Sequence, residues 1–274
     1  MSLAVFPDRD TVLCISVSAR PSNFGMTVHN AAYRAAGLNF IYKAFRVDDI
    51  AGALAGVRAL GVRGCSVSMP FKEQVVPLLD ALDPTAASIG AINTIVNDAG
   101  VLTGYNTDVY GAEMVISRLG QPRSSRVLLL GAGGVARAFL YALGSLGYAD
   151  VTVSNRSTER FASWTERGKF AILPWDDRHQ FVADILINAT PVGMTPHEDD
   201  LPISEDAVAR ARAVIDVIVT PPETHLLRMA RARGKPVATG LEMSLHQAAR
   251  QFELYTGQAA PLEAMEESLK GLLC

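Results

Sequence analysis

Hydrophobic positions in the first part of the chain alternate between short apolar runs and stretches in which apolar residues recur every three or four positions. The runs predict buried strands, and the stretches predict helices packed against them. The predicted strands are Val12–Val17, Asn39–Ala44 and Val62–Val67, and the predicted helices are Met26–Ala36, Ile50–Leu60 and Lys72–Leu79. This α/β alternation predicts a parallel sheet covered by helices.

A hairpin and a second α/β series follow. The segments Ala91–Asn97 and Val101–Leu102 flank the turn Asp98-Ala99-Gly100, which predicts a β-hairpin. The second series predicts helices at Val109–Leu119, Val135–Leu146, Glu159–Arg167 and His225–Arg233, and strands at Arg126–Leu130, Asp150–Ser154, Ile185–Ala189, Val214–Val219 and Pro236–Ala238. Two last helical stretches, Glu242–Thr256 and Pro261–Leu273, are expected to return to the first domain.

The 274 residues are enough for two domains. We expect one domain from residues 1–108 and 240–274 and the other from residues 109–239. Ligands often bind where domains meet, so we expect the binding cleft between the two.

Composition narrows the class of protein. A net charge of −3 and a pI near 6.0 argue against general attraction to nucleic acids or membrane surfaces. Cys14, Cys65 and Cys274 are widely spaced without a Cys-x-x-Cys pair, which argues against a disulfide scaffold or a metal site and favours a reducing compartment. The amino terminus lacks a signal-peptide pattern, and no segment approaches the roughly 18 apolar residues that a membrane span needs. We therefore expect a cytoplasmic protein.

Lys72 lies at an unusual place for a lysine. It follows Pro70 and Phe71 at the end of a predicted strand, in the first turn of the predicted helix. The helix dipole disfavours a positive charge there by roughly 0.3–1 kcal/mol. Lys72 is therefore a candidate general acid or base. The alternative is a solvated lysine balanced by Glu73.

A glycine-rich segment predicts a dinucleotide site. The strand ending at Leu130 runs directly into a G-x-G-x-x-A sequence that opens a helix, formed by Gly131, Ala132, Gly133, Gly134, Val135 and Ala136. Glycines permit the tight turn and the close approach of a pyrophosphate, which the N–H groups at the helix start can bind.

The end of the next strand favours NADP over NAD. An NAD-selective site usually carries Asp or Glu about 20 residues after the glycines. This chain instead has a cluster of polar and basic residues there, Asn155, Arg156, Thr158 and Arg160. Guanidinium groups suit an adenosine 2′-phosphate. The alternative is two arginines spaced i, i+4 on a solvated helix.

Several motifs together resemble those of the shikimate dehydrogenases. They are Ala91-Ile-Asn-Thr-Ile95, Tyr105-Asn-Thr-Asp108, the peptide around Lys72, Gly131–Ala136, Asn155-Arg156, Asn188–Met194 and Gln247. The resemblance runs nearly end to end and is strongest to the shikimate dehydrogenase-like branch. It implies a substrate domain, a Rossmann-type NADP domain and C-terminal helices that return to the first domain. It also implies NADP-dependent interconversion of 3-dehydroshikimate and shikimate, in the chorismate pathway of aromatic amino acid biosynthesis.

The resemblance assigns roles to individual residues. Lys72 and Asp108 match the pair that handles the proton of the reacting hydroxyl, and a carbonyl that gains hydride needs such a proton donor. Which of the two transfers the proton stays open. The resemblance further implies that the substrate contacts Asn93, Ser68 and Gln247, and that the nicotinamide lies near Val217 and Gly240.

Two departures concern the substrate carboxylate, which the family holds with a Ser-x-Ser pair. Counting back from His29 places Asn23 and Gly25 at those positions, so we expect Ser22 and Asn23 to be the polar anchors, with Arg20 as a charge partner. The alternative register uses Ser16 and Ser18. The second departure is Val219, which replaces a tyrosine.

Each missing hydrogen bond to a charged group is worth roughly 1.5–3 kcal/mol, so the substrate could instead be quinate or an aminated shikimate. Two further alternatives are a catalytically silent NADP-binding sensor and a methylene-folate dehydrogenase, both disfavoured by Lys72 and Asp108. The expected partners are small molecules, without nucleic acid or membrane, for a monomer or homodimer.

Overall fold

The computed structural model describes residues 7–162, 164 and 170–270. The chain forms two compact units. One contains the residues up to Thr107 and those from Gln247 onward, and the other contains Asp108–His246.

The first unit is built on a mixed sheet. Its strands are β1 (Val12–Ser18), β2 (Phe40–Arg46), β3 (Gly64–Val67), β4 (Ala81–Leu82), β5 (Thr94–Asp98) and β6 (Val101–Tyr105), in the order β2-β1-β3-β5-β6-β4. Its helices include α1 (Phe24–Ala35), α2 (Ile50–Ala59) and α3 (Pro84–Ile89). Apolar side chains of β1, β3 and β5 form a core with one face of α2.

The prediction of an all-parallel sheet is wrong for this unit. β1 is parallel to β2 and β3, whereas β5 is antiparallel to both β3 and β6. The predicted hairpin is the reason, since a two-residue connection can join only antiparallel strands. Its turn residues Ala99 and Gly100 both have positive φ, 51° and 94°, as such a turn requires.

The predicted helix Lys72–Leu79 is also wrong. Residues 69–75 form turns, and only a short 3₁₀ helix, Val76–Leu78, follows. Pro77 explains this, because in an α-helix it would lack an N–H for the carbonyl of Glu73 and would clash with it. Lys72 therefore does not lie in the first turn of an α-helix, and the dipole argument does not apply to it.

The second unit has the doubly wound arrangement. Its strands are β7 (Val127–Leu130), β8 (Val151–Ser154), β9 (Ala171–Leu173), β10 (Ile185–Asn188), β11 (Ala213–Asp216) and β12 (Val237–Thr239), in the order β12-β11-β10-β7-β8-β9. Every pair is parallel. This is the strand order of a dinucleotide-binding Rossmann sheet. The central strands are apolar throughout because both faces are covered.

The remaining helices are α4 (Asp108–Arg118), α5 (Gly134–Ser145), α6 (Glu205–Arg210), α7 (His225–Ala232), α8 (Gly240–Thr256) and α9 (Leu262–Lys270). The return of the C-terminal helices is confirmed, since α8 ends in the first unit and α9 packs against α1. Within the described residues, the predicted helix Glu159–Arg167 is a 3₁₀ helix, Thr158–Phe161. Residues 163 and 165–169 lie outside the described part of the chain.

Four short elements, β4, β9, α3 and α6, were not predicted because two to six residues are too few to establish a period. Within the described ranges, every helix is too short or too polar to cross a membrane.

Candidate active site

Asn93 is the centre of a buried polar network in the first unit. It lies directly before β5 and is fully buried. Its Oδ1 accepts hydrogen bonds from the backbone N–H of Thr107 at 2.8 Å, the Thr94 hydroxyl at 2.8 Å and the Thr107 hydroxyl at 3.2 Å. Because a backbone N–H can only donate, the atom facing Thr107 is the amide oxygen. The side chain of Asn93 therefore has one defined orientation.

The same segment holds the chain beside both predicted catalytic residues. The Ile92 N–H donates to the backbone carbonyl of Lys72 at 2.8 Å. The next residue, Asn93, holds Thr107, which directly precedes Asp108. Lys72 itself is half-buried, and Asp108 is buried as the first residue of α4. Two consecutive residues thus fix the backbone at Lys72 and immediately before Asp108.

Gln251 is a buried contact that the sequence did not reveal. Its Nε2 donates to the Thr94 hydroxyl at 2.9 Å and the Ser66 hydroxyl at 3.2 Å, and its Oε1 accepts from His29 Nε2 at 3.2 Å. An amide oxygen only accepts, so Nε2 of His29 carries the hydrogen. The spacing from Gln247 was an available signal, since residues four apart share a helix face.

His29 is a neutral structural histidine. Its ring stacks on Tyr42 with centroids 4.4 Å apart and an angle of 9° between the planes. Burial lowers its pKa to about 4 because the cation would lose its hydration, although the hydrogen bond to Gln251 opposes this. Its role is to connect α1 to α8.

The other predicted substrate residues differ in exposure. Ser22, Asn23 and Ser68 are exposed, and Gln247 is half-buried. These four side chains are not part of the network around Asn93 as described above. Their contact with a substrate stays a prediction.

The alternative anchors Ser16 and Ser18 lie within β1. Ser18 is buried, and the Ser16 hydroxyl hydrogen-bonds Tyr42. Burial raises the pKa of the Tyr42 phenol, while hydrogen bonds from Ser16 and Ser66 oppose the change. Tyr42 also borders Gly25, since a Cβ on Gly25 would lie 3.1 Å from its ring. Ser16 is thus engaged inside the protein, which favours the register that uses Ser22 and Asn23.

The glycine-rich turn of the second unit has the geometry of a phosphate cradle. Gly131 has a φ of +116°, and a Cβ there would lie 2.6 Å from the carbonyl oxygen of Ala189, so only glycine fits. The exposed Gly133 precedes the 12-residue helix α5 and has no side chain to cover its first turn. Gly134, Val135 and Ala136 form that turn. Its N–H groups and the helix dipole fit a pyrophosphate.

The polar cluster after β8 has an ordered loop. The Asn155 amide donates to the carbonyl of Ser157 at 2.9 Å, while Arg156, Thr158 and Arg160 are exposed. Arg156 lies before the 3₁₀ helix that contains Arg160. The two arginines are therefore not neighbours on an α-helix, which removes that alternative for their spacing.

The predicted nicotinamide contacts lie side by side. Gly240 begins α8, and a Cβ on it would lie 2.3 Å from the carbonyl oxygen of Val217. Val217 follows directly after β11. The glycine is required here by the close approach of two backbones.

Residues 22–95 match the family profile of the shikimate dehydrogenase substrate binding domain, and residues 240–270 match that of the shikimate 5′-dehydrogenase C-terminal domain. The shikimate dehydrogenase-like protein of Haemophilus influenzae is 41% identical over 263 residues, which cover 95% of this chain and 96% of that protein. The chain belongs to the shikimate dehydrogenase family. The first profile covers the Lys72 and Asn93 segments, and the second covers Gln247 and Gln251.

Two solved structures of this family share the fold. A shikimate 5-dehydrogenase from Thermus thermophilus in complex with NADP(H) and shikimate has a TM-score of 0.86 and 31% identity, covering 95% of this chain and 99% of that one. A quinate dehydrogenase from Corynebacterium glutamicum in complex with NAD has a TM-score of 0.89 and 29% identity, covering 95% and 99%. The predicted two-domain Rossmann-type architecture is confirmed.

Proposed function

We propose that this protein is an NADP-dependent oxidoreductase that interconverts 3-dehydroshikimate and shikimate, or a close analogue. The observation that carries the proposal is the Ile92–Asn93 pair, which holds the Lys72 backbone on one side and Thr107, next to Asp108, on the other. Membership of the shikimate dehydrogenase family supplies the reaction class.

Lys72 and Asp108 act on the proton of the reacting hydroxyl. Bound NADPH supplies a hydride to the carbonyl carbon of the substrate. The carbonyl oxygen gains a proton in the same reduction, and the ammonium of Lys72 together with the carboxylate of Asp108 provides it. In the reverse direction the pair accepts that proton.

The second unit binds the cofactor in this proposal. The turn formed by Gly131, Ala132, Gly133, Gly134, Val135 and Ala136 holds the pyrophosphate through backbone N–H groups. Asn155, Arg156, Thr158 and Arg160 surround the 2′-phosphate, which guanidinium groups bind well. Val217 and Gly240 lie beside the nicotinamide.

The first unit binds the substrate. Asn93 and Ser68 contact its hydroxyls, Gln247 reaches it from α8, and Ser22 with Asn23 anchors its carboxylate. The family serine pair is absent at Asn23 and Gly25, and the family tyrosine is Val219. These departures favour quinate or aminoshikimate as the second candidate, and the similarity to a quinate dehydrogenase agrees with quinate. A cytoplasmic location and a monomer or homodimer stay predictions.

Steady-state kinetics of the purified protein test the proposal. Reduction of NADP and of NAD is measured with shikimate, quinate and aminoshikimate in turn. Turnover of shikimate or one analogue with NADP supports it. Binding of NADPH without turnover of any of the three would favour a sensor, and better use of NAD would contradict the role given to Arg156 and Arg160.

A further inference from the structure

Asp216 is a buried carboxylate at the edge of the second sheet. It is the last residue of β11 and is fully buried. Its Oδ1 accepts from the N–H of Ile218 at 3.2 Å and from Asn188 Nδ2 at 3.1 Å, and its Oδ2 accepts from the Thr224 hydroxyl at 2.7 Å. All three partners donate, so the carboxylate acts only as an acceptor.

These bonds organise the ends of two neighbouring strands. Asn188 ends β10 and pairs in register with Asp216. Its Oδ1 accepts from the N–H of Thr190 at 3.1 Å and from the Thr190 hydroxyl at 2.6 Å, and its Nδ2 also donates to the carbonyl of Val192 at 3.2 Å. Asp216 thereby fixes the backbone that follows β11 and, through Asn188, the backbone that follows β10.

Gly240 holds the segment after β11 from another side. A Cβ on Gly240 would lie 2.3 Å from the carbonyl oxygen of Val217 and 2.4 Å from that of Ile218. The Val217–Ile218 backbone is therefore constrained by a carboxylate hydrogen bond and by direct contact with a glycine. It has little freedom to shift.

The position of this segment in the sheet points to the nicotinamide half of the cofactor. In doubly wound sheets the ligand lies outside the carboxyl ends of the strands, where the strand order reverses, which here is between β7 and β10. Arg156 and Arg160 follow β8, on the other side of β7. A dinucleotide that places its adenosine half there and its pyrophosphate at Gly131 extends the opposite way over β10 and β11. The end of β11 lies two strand spacings, about 10 Å, from β7.

We propose that Asp216 is a positioning residue for the nicotinamide half of the dinucleotide, acting through Asn188 and the Val217–Ile218 backbone. The inference rests on the proposed function, because it requires NADP as the cofactor. It predicts that loss of the acceptor weakens binding of the whole cofactor but not of its adenosine half.

Binding of NADPH and of 2′,5′-ADP to the purified protein tests this. 2′,5′-ADP carries the adenosine and the 2′-phosphate but no nicotinamide. We expect Asp216→Ala to raise the Kd for NADPH by about tenfold, which corresponds to one lost hydrogen-bonded contact, and to leave the Kd for 2′,5′-ADP within about twofold. Asp216→Asn keeps Oδ1 as an acceptor and should restore NADPH binding to within about threefold.

A second pair of variants applies if Asp216→Ala does not fold. Thr224→Val removes the donor to Oδ2, and Thr224→Ser keeps it. Only Thr224→Val should weaken NADPH binding while leaving 2′,5′-ADP unaffected. Equal weakening of both ligands, or of neither, would overturn the inference while leaving the proposed function intact. If the wild-type protein binds neither ligand, the proposed cofactor and the inference are both wrong.

Discussion

The amide oxygen of Asn93 accepts the backbone N–H of Thr107 at 2.8 Å, one residue before Asp108. The two residues are 14 positions apart, and both are buried. A buried N–H that lost this acceptor would be left without compensation. The position of the Asp108 backbone therefore depends on Asn93.

Replacing Asn93 should affect both stability and turnover. We expect Asn93→Ala to lower the free energy of unfolding by about 1–3 kcal/mol, since it leaves the N–H of Thr107 buried without its acceptor. Urea denaturation measures this, and kcat should fall with it. Asn93→Asp keeps the acceptor oxygen and should retain most of the stability. A variant Asn93→Ala as stable as the wild type would contradict the role given to the network.

Replacing Lys72 should slow the chemical step. We expect Lys72→Met to reduce kcat by about 10²- to 10⁴-fold because the proton donor is lost, with the Kd for NADPH unchanged. Steady-state kinetics and NADPH titration measure the two effects. Glu73→Gln is the matched control at the neighbouring exposed position and should keep kcat. If both variants retain full activity, Lys72 is a solvated surface lysine.

Replacing Arg156 should change cofactor preference. We expect Arg156→Gln to raise the KM for NADPH by about 10- to 100-fold through loss of a charge-assisted hydrogen bond, and to leave the KM for NADH unchanged. Arg9→Gln removes the same charge from a side chain that is 92% exposed and should alter neither value. Equal effects of Arg156→Gln on both cofactors would show that the 2′-phosphate does not contact this residue.

Two variants distinguish the registers of the carboxylate anchor. We expect Asn23→Ala to raise the KM for shikimate with little change in thermal stability, because its side chain is exposed. Ser16→Ala should instead lower the melting temperature, because the Ser16 hydroxyl hydrogen-bonds the buried Tyr42. Both values come from kinetics and thermal denaturation of the same preparations. The opposite assignment of effects would favour Ser16 and Ser18 as anchors.

His29 should make the protein less stable in acid. Burial lowers its pKa from 6.5 to about 4, so the folded state disfavours the proton. Its contribution to stability is present above pH 6.5 and is lost as the pH falls towards 4, by up to roughly 3 kcal/mol. His29→Gln can still donate to Gln251 but cannot titrate. Urea denaturation at several pH values between 4 and 7 should show a weaker pH dependence for this variant than for the wild type.

Much of the fold was readable from the sequence because its rules are local. The apolar run of β7 followed by Gly131 predicted the strand and the turn, and the positive φ of Gly131 and its contact with Ala189 explain the glycine. The hairpin at Ala99–Gly100 was predicted for the same reason. The helix predicted at Lys72–Leu79 failed because helical spacing was given more weight than Pro77, which prevents an α-helix through Glu73.

Tertiary structure alone decided how the buried polar side chains are paired. Gln251 bonds His29, 222 positions away, and Thr94, 157 positions away, and neither partner follows from periodicity or motif. Asp216 likewise could be recognised as the end of a strand, but not as the acceptor for Asn188, Ile218 and Thr224. Backbone preferences act over a few residues and are written in local sequence. Hydrogen bonds between distant side chains depend on which elements pack together, which only the folded chain defines.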